Sequence, residues 1–306
     1  MRVAVTGATG LIGTAVVREL QARGDEVTVL SRDAERAGQA LPGVVACEWR
    51  NPADKPAPSE ALAGRDAVVH LAGEPIAQRW SDDAKRRIRA SRELGTRNLV
   101  AGLRAVGEQR PRVLVSQSAV GWYGARGDEP VDESEPHAAG DFLAEIVAAW
   151  EAEARGAEEL GLRVALTRTG VVLAEAGGAL EKMLPPFKLG VGGPVAGGRQ
   201  YVPWIHLDDV VGAMLFCLDN EDARGPLNLA APEPVTNKEL SKALGRVLHR
   251  PAIAPVPAFA LRALYGEMAS IVVTGVRAVP KRLQELGYAY RRPELEPALR
   301  AAVRQQ

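Results

Sequence analysis

The stretch MRVAVTGATGLIG, Met1–Gly13, decides the fold of the chain. Val3, Ala4 and Val5 form an apolar run without alternation, which is typical of a strand buried on both faces of a parallel sheet. Three glycines follow at intervals of three residues, and Leu11 then begins the apolar spacing of a helix. The pattern therefore predicts a strand, a glycine-rich turn and a helix in direct succession.

The three glycines of this turn suit the diphosphate of a nucleotide. Backbone N–H groups at a helix N-terminus favour an anion, and the helix dipole adds partial positive charge there. Gly7 permits the tight turn, Gly10 lets a ligand approach the backbone, and Gly13 lets the helix pack closely on the strand. Because the motif follows a predicted strand and opens a predicted helix, it indicates dinucleotide binding.

The composition of the chain excludes several other classes of function. Its 306 residues contain 38 Lys or Arg and 38 Asp or Glu, so the balanced charge favours neither nucleic acid nor an anionic membrane as a partner. Cys47 and Cys217 are too few for a disulfide framework or a zinc site, and we predict no metal. Without a bilayer-length apolar run, and with Arg2 directly before a strand, we expect a cytoplasmic protein. The oligomeric state stays open.

Strand and helix patterns alternate through the first half of the chain, which predicts βαβ units and a parallel sheet. The later predicted strands are Glu26–Leu30, Val44–Glu48, Ala67–Leu71, Arg112–Ser116, Arg163–Thr167 and Leu227–Ala230. Helices are predicted over residues 81–106, 142–160, 208–218 and 236–247. From residue 175, glycine- and proline-rich loops replace this alternation. We therefore predict an α/β, doubly wound Rossmann domain (1–174 and 202–231) with a smaller, mostly helical substrate lobe (175–201 and 232–306).

The end of the second predicted strand selects the nucleotide. An acidic residue there accepts a hydrogen bond from the 2′-OH of NAD, whereas an Arg can pair with the 2′-phosphate of NADP. The chain reads Leu30-Ser31-Arg32-Asp33, so Ser31 and Arg32 favour NADP(H). The alternative is that Arg32 only pairs with Asp33 or Glu35 at the surface.

Further motifs resemble those of the extended short-chain dehydrogenase/reductases. They are GATGLIG at Gly7–Gly13, HLAG at His70–Gly73 and VSQSAVGWYG at Val115–Gly124. With DFLAEIVAAWE (Asp141–Glu151) and VPWIHLDD (Val202–Asp209), the chain is most similar to the atypical subgroup called epimerase family proteins. The resemblance implies an NADP(H)-binding Rossmann fold with a C-terminal substrate lobe, and no established reaction.

The predicted cofactor contacts lie at the ends of the strands and in the glycine loop. They are Gly7, Thr9, Gly10, Leu11, Ile12, Gly13, Ser31, Arg32, Leu71, Ala72, Gly73, Glu74, Ser116 and Arg168.

The resemblance stops at the proton shuttle of the superfamily. Ordinary members use a Ser that bonds the substrate oxygen, and a Tyr, four residues before a Lys, as the general acid or base. Ser118 matches the Ser, but the helix that should carry the pair has Phe142 and Ile146, or Leu143 and Val147 one residue later. None of the five tyrosines has a Lys four residues on. The standard shuttle is therefore absent.

The remaining catalytic candidates each have a structural alternative. Ser118 could bond a carbonyl or be a satisfied strand-end hydroxyl. Tyr123 could approach the nicotinamide or form a pocket wall. Glu145 could act as a base if burial raised its pKa, or be a solvated helical carboxylate.

The predicted substrate pocket contains Arg199, Trp204 and His206. Glu74 is expected near the mouth of that pocket. The basic run from Lys85 to Arg92 is interpreted as a solvated helix face.

Two functions remain open from the sequence. One is an NADP(H)-dependent oxidoreductase or epimerase-like enzyme acting on a small polar or sugar-nucleotide-like substrate with a non-standard proton donor. The other is a non-catalytic NADP(H)-binding regulator or scaffold. The complete cofactor motif with a substrate lobe favours the first, and the missing Tyr and Lys favour the second.

Overall fold

The computed structural model describes residues 1–174 and 177–303, and its centre is a parallel sheet. The strands of this sheet are β1 (Arg2–Thr6), β2 (Glu26–Ser31), β3 (Val45–Glu48), β4 (Ala67–His70), β5 (Val113–Ala119), β7 (Arg163–Thr169) and β11 (Gly225–Leu229). Their order is β11-β7-β5-β4-β1-β2-β3, and every neighbouring pair is parallel. The strand order reverses between β1 and β4, which is where ligands of doubly wound sheets bind. The predicted fold class is confirmed.

Short strands form three small two-stranded sheets beside the main one. They are β6 (Pro130–Val131), β8 (Val171–Leu173), β9 (Tyr201–Val202), β10 (Trp204–His206), β12 (Val235–Thr236) and β13 (Arg277–Ala278). They pair as β10 with β8, β12 with β9 and β13 with β6.

Helices cover both faces of the main sheet and build most of the rest of the molecule. They are α1 (Leu11–Ala22), α2 (Ala34–Ala40), α3 (Ser59–Leu62), α4 (Asp82–Ala105), α5 (Phe142–Arg155), α6 (Gly178–Lys188), α7 (Leu207–Asp219), α8 (Asn237–Leu248), α9 (Ala258–Tyr265), α10 (Ser270–Val273), α11 (Lys281–Glu285) and α12 (Leu295–Val303). Within the described ranges, none of these helices combines the length and apolarity that crossing a membrane requires.

The two faces of the sheet bury separate apolar clusters. Val3 and Val5 of β1 pack with α1 and α7 on one face, and Ala4 points to the other. On that second face, Leu99 of α4 lies in the cluster that β1 and β5 share. Because successive side chains of a strand point to opposite faces, both faces of β1 must be apolar, as the run without alternation indicates.

The main differences from the predicted elements lie at their ends and in α6. The helix expected over 142–160 ends at Arg155, and α6 falls in the stretch that we expected to be loop. Two prolines, Pro185 and Pro186, lie inside α6 and cannot donate backbone hydrogen bonds. Burial of one apolar stripe, which includes Leu184, stabilises the helix despite them.

The smaller lobe has its own apolar cluster, which contains residues of α6, α8 and α12. The predicted division begins this lobe at residue 175, which lies outside the described residues, and places 232–306 in it. The segment 277–292 packs instead on the Rossmann sheet.

Contacts with the main sheet show where the segment 277–292 belongs. Leu283 of α11 joins the cluster of β1, and Asn228 of β11 donates from Nδ2 to the carbonyl oxygen of Val279 at 2.9 Å. The carboxylate of Asp209 accepts hydrogen bonds from the backbone N–H groups of Arg291 and Arg292 at 2.6 and 2.8 Å. The segment 277–292 therefore packs on the main sheet, whereas α12 lies in the cluster of the lobe, and the domain boundaries stay a prediction.

Candidate functional site

The glycine loop between β1 and α1 is built so closely that side chains do not fit at two of its glycines. Gly7 has a φ of +67°, and a Cβ there would lie 2.6 Å from the carbonyl carbon of Leu71. A Cβ at Gly13 would overlap the carbonyl oxygen of Gly7. Glycine is needed at position 7 for the turn after β1, and at position 13 for the close packing of α1 on that turn.

The N-terminus of α1 is left open to an anion. No side chain in residues 1–174 or 177–303 caps Gly10, and the first turn of α1 carries no acidic residue. Thr9 and Gly10 are exposed, and Leu11 and Ile12 are half-buried. Unpaired backbone N–H groups and the positive end of the helix dipole thus face an accessible space, which is the geometry of a phosphate cradle.

The segment after β4 is fastened to this cradle by a threonine and a histidine. Thr6 Oγ1 accepts hydrogen bonds from the backbone N–H groups of Leu71 and Ala72, both at 3.2 Å. The ring of His70 bridges Thr6 Oγ1 at 2.7 Å and Thr96 Oγ1 of α4 at 3.0 Å. Burial lowers the pKa of His70 to about 4, so the ring is neutral at physiological pH. The bridges hold Leu71, Ala72 and Gly73 at the same sheet edge as the glycine loop.

The end of β2 is followed by an exposed arginine, Arg32. Asp33 caps α2 by accepting from the backbone N–H of Arg36 at 2.9 Å, and its own N–H donates to Ser31 Oγ at 3.2 Å. Arg32 is exposed and forms no ion pair with any residue that the structure describes. The alternative in which Arg32 pairs with Asp33 or Glu35 is thus not observed. The guanidinium is available to a 2′-phosphate.

Two glycine substitutions test separately how the glycine loop contributes to stability and how it contributes to cofactor binding. We expect Gly13→Ala to destabilise the protein by about 1–3 kcal/mol, because the methyl group overlaps the backbone of Gly7. In Gly10→Ala the methyl group lies 3.4 Å from the carbonyl oxygen of Gly7, which is ordinary van der Waals contact, and it adds bulk at the exposed N-terminus of α1. We expect it to change stability by less than about 1 kcal/mol, while affinity for NADPH, the predicted cofactor, falls by about tenfold or more, or about 1.4 kcal/mol. Chemical denaturation and calorimetric titration measure the two effects, and equal behaviour of the two variants would contradict this assignment.

The predicted catalytic residue Ser118 belongs to a buried network behind the sheet edge. Its hydroxyl donates to Glu151 Oε1 at 2.6 Å, and its side chain is buried. The same carboxylate receives two hydrogen bonds from Arg168, Nε to Oε1 at 2.8 Å and Nη2 to Oε2 at 3.0 Å. Because its proton is engaged by Glu151, Ser118 has the satisfied strand-end role that the sequence left as its alternative.

Arg168 is not placed as a cofactor contact. Its side chain is 2 % exposed, and besides Glu151 it reaches the hydroxyl of Tyr123 and the ring of Trp122, whose centroid lies 3.9 Å from Cζ. Burial acts to lower the pKa of Arg168, but the ion pair and hydrogen bonds with Glu151 raise it above its usual value. The guanidinium is held by protein groups on all sides, which corrects the prediction that it binds a ligand.

The predicted catalytic residue Tyr123 is fully buried in the same network. Its hydroxyl donates to Asn228 Oδ1 at 2.8 Å and accepts from Arg168 Nη1 at 3.0 Å. Burial raises the pKa of Tyr123 to about 12, despite the opposing effect of Arg168. The hydroxyl of Tyr123 is therefore engaged by protein groups and does not replace the missing acid, while its role as a pocket wall stays a prediction.

The positions of the missing Tyr and Lys are occupied by apolar side chains, and Glu145 faces another loop. The ring of Phe142 lies 5.1 Å from that of Trp80, and Lys85 Nζ lies 5.1 Å from the centroid of Phe142. The side chain of Glu145 is 43 % exposed, and its carboxylate accepts from the backbone N–H of Gly140 at 3.1 Å. Glu145 thus fastens the loop before α5 and does not lie in a buried site that would make it a base.

The three predicted pocket residues differ in exposure and in their contacts. Trp204 is buried in the apolar cluster of the lobe, and Arg199 is exposed. His206 is buried and caps α7, because its Nδ1 accepts from the backbone N–H of Asp208 at 3.1 Å. Its Nε2 has no partner among the residues described. Trp204 and His206 are therefore framework residues of β10 and α7.

The structure places two charged residues, Glu74 and Arg92, beside the segment that follows β4. Glu74 keeps a side chain that is 25 % exposed, with Gln78 Nε2 at 3.3 Å and Arg87 Nε at 3.5 Å from Oε1. Arg92, which the sequence analysis assigns to a solvated face, is buried, and this corrects that prediction. The signal was present in its spacing, because Arg92 lies one turn from Ile88 and from Thr96, both on the buried stripe of α4.

Comparisons with known proteins agree with this geometry. The NAD dependent epimerase/dehydratase family matches residues 3–230, and a domain of unknown function (DUF1731) matches residues 256–302. The chain is 41 % identical over 312 residues to the chloroplastic epimerase family protein SDR39U1 homolog of Arabidopsis thaliana, covering 99 % of this chain and 87 % of that one. It is 38 % identical over 307 residues to epimerase family protein SDR39U1 of Mus musculus, covering 99 % and 100 %. The crystal structure of human SDR39U1 (isoform 2) with NADPH superimposes with a TM-score of 0.88 at 35 % identity, covering all of both chains.

Proposed function

The chain belongs to the NAD-dependent epimerase/dehydratase family, and from that premise we propose that it binds NADP(H) and acts as an oxidoreductase on a small polar or sugar-nucleotide-like substrate. The observation that carries the proposal is the open cradle at the N-terminus of α1, where Gly7 and Gly13 leave no room for a Cβ. The NADPH in the human relative's structure supports the same choice of cofactor.

The residues that would hold the cofactor are arranged along the carboxyl edge of the sheet. The backbone N–H groups of the glycine loop and of α1 suit the diphosphate. Arg32 is exposed beside the end of β2, where it can pair with a 2′-phosphate. Leu71, Ala72 and Gly73 form the neighbouring wall, held in place by Thr6.

The chemistry that bound NADP(H) supplies is hydride transfer. The protein's part is to orient the substrate and to provide a proton, and Phe142 and Ile146 have no proton to exchange. Ser118 and Tyr123 are engaged in the buried network. Glu74 keeps a partly exposed carboxylate at the segment after β4, and we propose it as the residue at the substrate mouth. A reductase fits this site better than an epimerase, because it needs one proton transfer rather than two precisely placed ones.

The choice of NADP(H) is tested by thermal unfolding with each cofactor. A ligand at a hundred times its dissociation constant stabilises a fold by about 2.7 kcal/mol. At equal concentrations we expect NADPH to raise the melting temperature clearly more than NADH. Equal stabilisation by the two cofactors would contradict the 2′-phosphate role of Arg32, and no stabilisation by either would contradict the proposed function.

The oxidoreductase role is tested by following the absorbance of reduced nicotinamide in the presence of small carbonyl compounds and sugar nucleotides. Substrate-dependent oxidation of NADPH, reduced in the folded variant Gly10→Ala, supports an enzyme. Tight NADPH binding without oxidation across the panel would favour a non-catalytic NADP(H)-binding regulator, which the missing Tyr and Lys also suggest.

A further inference from the structure

Arg92 is a buried cation that the proposed chemistry does not yet use. It lies on α4, and its side chain is packed between the backbone of Gly73 and the ring of Trp150. A Cβ at Gly73 would lie 3.2 Å from Cζ of Arg92, and the centroid of the Trp150 ring lies 5.1 Å from the same atom. The residue is 8 % exposed. The guanidinium therefore lies directly beneath the segment that borders the glycine loop.

The hydrogen bonds of Arg92 leave much of its guanidinium without a partner. Nη1 donates to the carbonyl oxygens of Glu74 at 3.0 Å and Ile88 at 3.3 Å. Within residues 1–174 and 177–303, Nε and Nη2 have no acceptor, and no carboxylate lies within ion-pair distance. Burial lowers the pKa of Arg92 to about 10, against the opposing effect of Glu74, so the group is still charged at neutral pH.

Arg168, the other buried arginine among the described residues, shows how complete a structural role looks. Arg168 is paired with Glu151 through two hydrogen bonds, and its Nη1 donates to the hydroxyl of Tyr123. A buried charge without such compensation is costly. Nε and Nη2 of Arg92 accordingly are not among the fully buried donors without a partner, so an acceptor outside the protein can reach them.

The surroundings of Arg92 place its open donors at the carboxyl edge of the sheet. Gly73 follows Leu71 and Ala72, which Thr6 fastens to the glycine loop. Nearby, Trp150 carries a fully buried donor, because its Nε1 has no acceptor in the described part of the chain. Both groups are donors, so the missing partner is an acceptor, and beside a cation a negatively charged one is favoured.

We propose that Arg92 binds an anionic oxygen, of a phosphate or a carboxylate, on a ligand held at this edge of the sheet. The inference rests on the proposed function, because the ligand is either NADP(H) or an anionic substrate of the protein. Arg92 then supplies a fixed positive charge in a family member that has no Lys on α5 at positions 146 and 147.

The test compares Arg92→Met with Arg89→Met, a control one turn earlier on α4 whose side chain is 47 % exposed. Melting temperatures are measured for the ligand-free proteins, and NADPH affinity is measured by calorimetry. Inorganic phosphate and acetate are then titrated with and without NADPH. Removing an uncompensated buried charge should leave the ligand-free melting temperature of Arg92→Met unchanged or raise it.

Two results support the proposal and separate the sources of the anion. A loss of NADPH affinity of at least tenfold in Arg92→Met, with less than a twofold change in Arg89→Met, assigns the anion to the cofactor. Unchanged NADPH affinity, with stabilisation by phosphate or acetate that disappears only in Arg92→Met, assigns it to the substrate. In either case Arg92→Lys, which keeps a cation, should retain more of the response than Arg92→Met.

A lower melting temperature for Arg92→Met with unchanged binding of NADPH, phosphate and acetate would overturn the proposal and leave a structural residue. If Arg92→Met does not fold, unchanged binding of NADPH, phosphate and acetate in folded Arg92→Gln, which carries no charge, would overturn it equally. A wild-type protein that binds phosphate or acetate through Arg92 but not NADPH would sustain the inference about Arg92 and refute the proposed cofactor.

Discussion

Arg168→Met is expected to lower the free energy of unfolding by about 3–5 kcal/mol, because it leaves the carboxylate of Glu151 buried without a counter-ion. Both side chains of this pair are 2 % exposed. Methionine fills much of the arginine volume, so the loss measures the unpaired charge more than a cavity. Denaturant unfolding at neutral pH gives the value directly.

The matched control for this experiment is the double variant Glu151→Leu with Arg168→Met. Removing both charges leaves Ser118 and Tyr123 each without one partner, but no uncompensated ion, so a large part of the lost stability should return. A single variant that loses less than about 1 kcal/mol, or a double variant less stable than the single one, would contradict the structural role assigned to the pair.

Arg32→Ala is expected to weaken NADPH binding by about ten- to a hundredfold, since a charge-assisted bond to phosphate is worth about 1.5–3 kcal/mol. NADH has no 2′-phosphate, so its affinity should change little. Calorimetric titration of both cofactors measures the ratio. Arg36→Ala is the matched control, because Arg36 is an exposed arginine in the first turn of the following helix.

The ratio of NADPH affinity to NADH affinity, rather than either value alone, shows whether Arg32 binds the 2′-phosphate. An equal loss for NADPH and NADH in Arg32→Ala would show damage to the loop after β2. A larger loss in Arg36→Ala than in Arg32→Ala would move the phosphate contact to the neighbouring arginine.

The fold and the cofactor edge were predictable from the sequence because they depend on local patterns. The apolar run of β1 and the glycine spacing define one strand, one turn and one helix over thirteen residues, Met1–Gly13. The helix α6 was missed because Gly178 and the two prolines inside it are poor helix formers, and its stability comes from the contacts of Leu184 with the lobe.

The inner part of the site was less predictable because it depends on pairing across the sheet. Ser118, Glu151 and Arg168 lie on β5, α5 and β7, and their sequence separations give no sign that they share one network. Tyr123 was a reasonable acid by its residue type, but the acceptor that engages it, Asn228, is 105 residues away. Arg92 was misplaced because a basic run suggests solvent, although its helical spacing pointed inward.

The packing of residues 277–292 on the Rossmann sheet has a consequence for synthesis on the ribosome. The cluster around β1, made first, receives Leu283 from α11, and Asp209 is satisfied by the backbone of Arg291 and Arg292. Domains usually fold as units from the N-terminus while the chain is still emerging. Here the nucleotide-binding half exposes part of its core until residue 292 has left the exit tunnel, and chaperones have apolar surface to bind until then.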